Sequence, residues 1–418
     1  MQKQTLFFLS MKEQKLIPHL FRTEFTKIVA VICKTFGLSN IQLAEDIVSE
    51  TFLIATETWG LKGIPDKPSS WLYKVAKNKT KDYFKRDKIF KEKIAPELQN
   101  HTHNYEFEIN LSDKNISDSL LQMLFAVCNP IISAEAQITL ALRILCGFGI
   151  DEISQAFLTN KETINKRLHR AKEKLRKNKV DLSFPSKRKL KGRLDNVLSI
   201  IYLLFNEGYY SITSEQTLKK ELCVEAMRLT YMLLKNEPTN LPETNALMAL
   251  LCFHSSRFEA RTNNQGELIL YADQDTKNWD LELIKKGKYY LNKSAKGDIT
   301  KYHLEAGISF WHTKNDKTKN KWENILQLYN QLLQIEYSPV AALNRTYALS
   351  KANSKKEAIA EILKIDLKTN HLYHSLLAEL YKNLDNNNQI KHLKIALELV
   401  KTESEKHIIK QKLNKASR

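Results

Sequence analysis

From Lys161 to Lys177 the chain carries eight Lys or Arg against two Glu. Asn165, Lys166, His169 and Arg170 fall away from an apolar stripe, and Lys161, Thr163 and Arg167 complete a set of donors suited to phosphate oxygens and base edges. The chemistry is recognition of a polyanion, with no bond made or broken. A second basic array follows the same logic: Lys74, Lys77, Asn78, Lys81 and Lys85 recur every three or four residues, followed by Arg86, opposite Leu72, Val75, Ala76 and Tyr83. Charge of the other sign gathers at Glu45, Asp46, Ser49 and Glu50, an acidic outer patch in an otherwise basic half that by itself suits solubility.

These residues need helices to position them. Ile164, Leu168, Ala171 and Leu175 recur at helical spacing, Ile150, Ile153 and Phe157 mark a shorter helix before them, and Leu158-Thr159-Asn160 breaks the pattern, with Asn160 as N-cap. A short helix, a tight turn and a basic helix form a helix-turn-helix pattern, predicted to bind DNA. Pro65-Asp66-Lys67-Pro68-Ser69-Ser70 reads as a loop, with Ser69 or Ser70 capping a helix from Trp71 to about Lys88. The acidic patch lies on a helix from Ile41 to about Thr58, with Leu43, Ile47, Phe52 and Ile54 facing the core, and a helix from about Lys15 to Phe36 precedes it.

The whole chain of 418 residues suits two or three domains, and 43% hydrophobic residues suits a globular class. Of the net charge of +18, about +12 lies before Leu194, so the polyanion-binding character belongs to the first half. Cys33, Cys128, Cys146, Cys223 and Cys252 are odd in number and set in apolar helical patterns, which predicts buried reduced thiols and a cytoplasmic protein. Leu6 to Leu9 is too short for a signal-peptide core, Val197 to Phe205 cannot span a bilayer, and no membrane partner is expected. His101 and His103 lack partners at metal-ligand spacing, and Asp273, Asp275 and Asp280 read as a polar loop capping a helix. No nucleophile–base pair or phosphate loop is found, so neither an enzyme nor a cofactor is expected.

Between Lys88 and Ser112 the sequence is polar and aperiodic and reads as a flexible linker, roughly 25 residues that reach up to about 80 Å when extended. The predicted organisation is all-α: a helical domain over 1–90, a linker over 91–115, the helix-turn-helix domain over 116–180, a basic hinge over 181–193, and a helical extension over 194–418. Within the extension Leu343 aligns with Leu377, Tyr347 with Tyr381 and Leu363 with Leu397 at an offset of 34 residues, which points to paired helices of tetratricopeptide type. Around Gly266 to Tyr271 a short extended stretch is expected.

Several of these motifs resemble the extracytoplasmic-function sigma factors of bacterial RNA polymerase. Thr163-Ile164-x-x-Arg167-Leu168-His169-Arg170-Ala171 is similar to the region 4 recognition helix, which in that family reads the −35 promoter element. Trp71-Leu72-x-x-x-Ala76-x-Asn78-x-x-x-Asp82-x-x-x-Arg86 resembles the region 2 helix that reads the −10 element. Leu43-Ala44-Glu45-Asp46-Ile47-Val48-Ser49-Glu50-Thr51-Phe52 resembles the helix that docks on the β′ clamp helices, with Ser49 in place of the family's usual Gln. Tyr202-Leu203-x-Phe205-Asn206-Glu207-Gly208-Tyr209, the stretch from Glu267 to Asp280, and Ser338-Pro339-Val340-x-x-Leu343-Asn344-Arg345 are similar to a subgroup with a tetratricopeptide-like extension. The resemblance implies core polymerase (β′ clamp helices and β flap) and promoter DNA as partners. It also implies regulation through the extension, with a protein or ligand on its repeat face. A helix-turn-helix regulator with a protein-sensing repeat domain is the alternative; it would not need the Asp46/Glu50 helix or the Trp71 to Arg86 helix.

Overall fold

Helical periodicity carries through nearly the whole sequence, and the computed structural model is helical accordingly, with no strand among the residues it describes: 11–94, 109–210, 216–261, 269, 271–314, 318–400 and 403–417. In chain order the helices are α1 (Met11–Phe36), α2 (Ile41–Lys62), α3 (Pro68–Ile94), α4 (Asp113–Val127), α5 (Ala134–Leu145), α6 (Ile150–Ala156), α7 (Lys161–Lys177), α8 (Lys187–Tyr210) and α9 (Gln216–Leu234). They continue as α10 (Pro242–Ser255), α11 (Leu281–Lys293), α12 (Lys301–Thr313), α13 (Lys319–Ile335), α14 (Pro339–Ala352), α15 (Lys355–Ile362), α16 (His371–Tyr381), α17 (Asn386–Leu399) and α18 (Glu403–Ala416). Two compact units divide the chain between Leu204 and Phe205, inside α8.

In the first unit α1 supplies a buried spine of Phe25, Ile28, Val29, Ile32 and Cys33. Helix α3 joins it through Leu72, Ala76 and Thr80, all fully buried, and through Phe84, whose ring stacks on Phe36 at 3.9 Å. Tyr83, expected on this buried side, is 44% exposed: helical geometry sends the stripe from Ala76 to Thr80 and Phe84. The helix also starts earlier than its serines predict. Pro68 lacks the N–H that a first turn would leave unpaired anyway, so the helix begins there and Ser69 and Ser70 lie inside it.

Two predicted boundaries move. Helix α3 runs on to Ile94 and α4 begins at Asp113 with Ser112 as its cap, so both ends of the expected 91–115 linker are helical. Residues 95–108, with His101 and His103, lie outside the described residues, as do Leu6 to Leu9 and most of the stretch expected to be extended near Gly266. The basic hinge over 181–193 also becomes helical from Lys187. Its continuation belongs to the first unit, where Leu194, Val197, Leu198, Ile201 and Leu204 are buried. Polar contacts fix that placement: the Asn196 amide donates to the Cys128 carbonyl at 2.8 Å and to Gln137 Oε1 at 2.9 Å, and the Arg193 guanidinium donates to the Phe125 carbonyl. The expected extension therefore starts ten or so residues too early, because the apolar face of α8 completes the core around α4 and α5.

The second unit is built from successive helices that pack on their neighbours. One core runs from Leu304 and Ile308 through Ile325, Leu343 and Leu349 to Tyr373 and Leu377, and a second joins Ala378, Leu393, Ala396 and Ile409. Gly287 lets α11 close on α10, since a Cβ there would come within 2.5 Å of the Phe253 ring. Asp275 and Asp280 act as caps, accepting the Lys277 and Leu283 N–H groups at 3.0 and 2.9 Å, as their loop pattern predicts. Burial beside Arg257 and Lys321 pushes His312 from its usual 6.5 down to about 3, and burial lowers His254 in the same direction.

Two outcomes are expected. A chain ending at Lys191 should not fold cooperatively, while one ending at Asn206 should, because the first loses six buried aliphatic side chains that are worth on the order of 2 kcal/mol each; circular dichroism with urea unfolding of both fragments checks this. For the second unit, a histidine that is harder to protonate when folded leaves its stabilising effect whole above pH 6.5 and loses it as pH falls toward about 3. His312→Phe should therefore flatten the fall in melting temperature across that window; an unchanged slope would contradict the assignment.

Candidate nucleic-acid interface

The apolar stripe of α7, Ile164, Leu168, Ala171 and Leu175, is buried as its spacing predicts. Asn160 caps the helix, its Oδ1 accepting the Thr163 N–H at 2.7 Å, and the turn before it is completed by Leu158 at φ +49°. Burying that stripe leaves Lys161, Thr163, Asn165, Lys166, His169 and Arg170 exposed on the outer face. Lys161 pairs with Asp151 at 2.8 Å and Lys166 with Glu162 at 2.6 Å, contacts between exposed groups that a phosphate can replace at little loss.

Arg167 differs from the other six. Its guanidinium is half-buried, pairs with Glu135 at 2.9 Å, reaches Thr139 Oγ1 at 3.4 Å and lies 5.4 Å from the centre of the Phe157 ring. Those contacts tie α7 to α5 and to the end of α6, so the side chain is an internal fastener rather than a free donor.

On α3 the predicted basic stripe faces solvent. Lys74, Asn78, Lys81, Lys85 and Arg86 are exposed and Lys77 is half-buried. Trp71 is half-buried with its ring centre 5.4 Å from that of Trp59 in an edge-to-face contact, so it packs the α2–α3 corner. Tyr83 stands exposed on the same helix, an aromatic surface that stacking chemistry can use.

The acidic face of α2 is longer and less polar than expected. Asp46 and Glu50 are exposed and Ser49 is half-buried. Glu50 pairs with Lys79 of α3 at 2.6 Å, and the Gln42 amide donates to Asp46 at 3.2 Å. Leu53 at 64% and Leu61 at 81% exposure continue the row with Glu57 between them. The intervals from Asp46 through Glu50, Leu53 and Glu57 to Leu61 are three or four residues throughout, so helical spacing alone could have found this stripe. Glu45 does not belong to it: the carboxylate is buried, with Arg143 Nε 2.9 Å from Oε1 and the Lys172 ammonium on Oε2. A helical turn of 100° per residue carries Glu45 inward while Asp46 stays outside.

Arg167→Ala should lower the unfolding free energy of the first unit by about 1 kcal/mol, the sum expected for a half-exposed ion pair and a cation–π contact. Arg170→Ala should change it by less than about 0.5 kcal/mol. Urea unfolding of the two variants distinguishes a fastener from a free surface group, and equal effects would remove the distinction.

Residues 23–89, which contain both the α2 acidic face and the α3 basic face, match the family Sigma-70 region 2. Residues 193–295 match a family of unknown function, DUF6596. The chain is also 32% identical over 351 residues to an uncharacterized protein of Rhizobium meliloti (strain 1021), an alignment that takes in 82% of this chain and 83% of the relative. No solved structure matches. Among the described residues, no helix is long and apolar enough to cross a membrane.

Proposed function

We propose, from the premise that the chain belongs to one family with the Rhizobium meliloti protein and carries a sigma-70 region 2, that it is a promoter-specificity subunit of RNA polymerase of the extracytoplasmic-function type. The observation that carries the reading is the coincidence of that match with two oppositely charged helix faces, α2 for the polymerase and α3 for the −10 element. In this reading Asp46, Ser49 and Glu50, extended by Leu53 and Leu61, meet a basic and partly apolar clamp surface. Exposed carboxylates steer the encounter and the leucines supply buried area on contact. Lys74, Lys77, Asn78, Lys81, Lys85 and Arg86 follow the downstream strand, and Lys161, Thr163, Asn165, Lys166, His169 and Arg170 read the upstream element. Arg167 holds α7 in place for them. The protein performs no bond chemistry of its own.

The extension acts, in this proposal, as a positive regulator of tetratricopeptide type. Its support is the sequential pairing of α14 with α15 and α16 with α17, near the 34-residue offset at which Leu343 and Leu377, both buried, occupy like positions. Leu363 departs from that register, lying exposed just beyond α15. A regulatory partner bound to the second unit would shift the balance between competent and incompetent arrangements by as much as its differential affinity allows.

Reconstituted transcription with core polymerase on a promoter library tests the whole reading. Asp46→Lys with Glu50→Lys should abolish association with core enzyme while the helical content stays unchanged, and unaltered co-purification would contradict the docking face. Arg170→Ala should weaken specific upstream binding by roughly 1–3 kcal/mol if it contacts a base, while Lys81→Ala should mainly reduce the salt dependence. Equal losses on promoter and random DNA would erase the division between reading and positioning. In run-off assays the chain ending at Asn206 should transcribe less than the full chain, and equal activity would dismiss the extension as a regulator.

A further inference from the structure

Helix α11 of the second unit carries a basic face that the contacts proposed above leave unused. From Leu283 to Gly297 the sequence holds five lysines, Lys285, Lys286, Lys288, Lys293 and Lys296, and no carboxylate. Ile284 and Gly287 turn into the core, Gly287 directly onto the Phe253 ring, and all five lysines are left exposed. Lys235, one residue past the end of α9, is exposed too. Among the described residues none of the six is in an ion pair. On α7, by contrast, Lys161, Lys166 and Lys172 each hold a carboxylate. The contacts these cations do make are to rings: Lys235 lies 5.1 Å from the centre of Tyr231, Lys293 4.9 Å from that of Tyr289 and Lys288 5.9 Å from that of Phe310.

The rings themselves gather in one place. Tyr290 shares an apolar cluster with Met227 and Leu234 of α9, and Tyr231 lies between those two along the same side of that helix. Tyr289 meets Tyr290 edge-on at 5.1 Å. Burial raises the Tyr290 hydroxyl above the usual tyrosine value, and Cys252, Tyr231 and Tyr289 are near enough to add to the rise. Burial likewise pushes the Cys252 thiol up to about 12, and Lys286 is near enough to work against that. Three tyrosines are thus flanked by Lys235, Lys286 and Lys293, yet Tyr231 and Tyr289 stay 46% and 53% exposed.

We propose that this α9–α11 face of the second unit binds single-stranded nucleic acid, with the unpaired lysines on phosphates and Tyr231 and Tyr289 as stacking platforms. Unpaired lysines call for a polyanion, and exposed rings among them call for one with accessible planar groups. A duplex keeps its base faces closed, and an acidic protein segment answers the lysines but gives the rings no planar partner. At 1.5 Å of rise per residue Lys285 and Lys293 stand about 12 Å apart along the helix, room for a short stretch of strand. The site does not rest on the sigma-factor reading, which assigns nucleic acid to α3 and α7 alone.

The test irradiates the full chain with a short oligothymidylate carrying 5-iododeoxyuridine, a base that cross-links to the aromatic side chain it stacks on, and maps the cross-links by mass spectrometry. Cross-links at Tyr231 or Tyr289 are expected, and their yield should fall steeply with salt. Replacing Lys235, Lys286 and Lys293 together by Ala should flatten the log–log salt slope of that yield by about two, at unchanged helical content. Tyr289→Ala should weaken binding at this face by at least about fivefold, while Tyr289→Phe, which keeps the ring, should leave it near the parent's. The tyrosine variants decide the matter if the triple variant fails to fold. Cross-links confined to α3 and α7 would overturn the proposal and leave the sigma-factor reading intact. Equal binding by Tyr289→Ala and the parent, or displacement of the oligonucleotide from this face by an equal concentration of polyglutamate of the same charge, would overturn it in favour of an acidic protein partner.

Discussion

A carboxylate removed from water must find cations or become neutral, and in the first unit Glu45 finds two. That requirement fixes much else. Arg143 and Lys172 come from helices about a hundred residues further along the chain, so satisfying one side chain of α2 brings α5 and α7 against α1 and α2. Arg143 is in turn held by the Phe148 carbonyl and the Phe25 ring, and the turn that carries Phe148 can approach only because Gly147 has no Cβ. With the inner side of α7 committed to Ile164, Leu168, Ala171, Leu175, Arg167 and Lys172, Lys161, Thr163, Asn165, Lys166, His169 and Arg170 lie on the solvent face. The exposed basic face is what the packing leaves over.

Helix α8 sets a second constraint. Its first turns complete the core around α4 and α5, and its last residues belong to the second unit. The basic hinge expected over 181–193 is helical from Lys187. Lys187, Arg188, Lys189 and Lys191 instead lie along the first turns of the helix.

The three charged surfaces divide their work by solvation. The pairs Lys79 with Glu50, Lys161 with Asp151 and Lys166 with Glu162 are open to solvent and contribute little to stability. Arg167 and Glu45 are held by several contacts each and act inside the fold. Residue type does not separate these two groups, since both contain Arg or Lys and Glu. Burial does.

The sequence by itself determined the local terms: helical periodicity, the N-cap at Asn160, the turn at Leu158, the buried stripe of α7, the solvent-facing stripe of α3 and the caps at Asp275 and Asp280. Each depends on residues within four positions of one another, where spacing and side-chain chemistry are sufficient. Family resemblance then attached roles to those patterns, and the region 2 match agrees with it over residues 23–89. Only the tertiary structure decided that Glu45 turns inward while Asp46 stays out, that Arg167 is tied to Glu135 and Phe157, that Tyr83 yields its place in the core to Thr80 and Phe84, and that α8 serves both units. The reason is the same in each case. A charged or amphipathic side chain takes its role from what lies across the interface, and a partner such as Lys172, 127 positions from Glu45, leaves no trace in the local pattern.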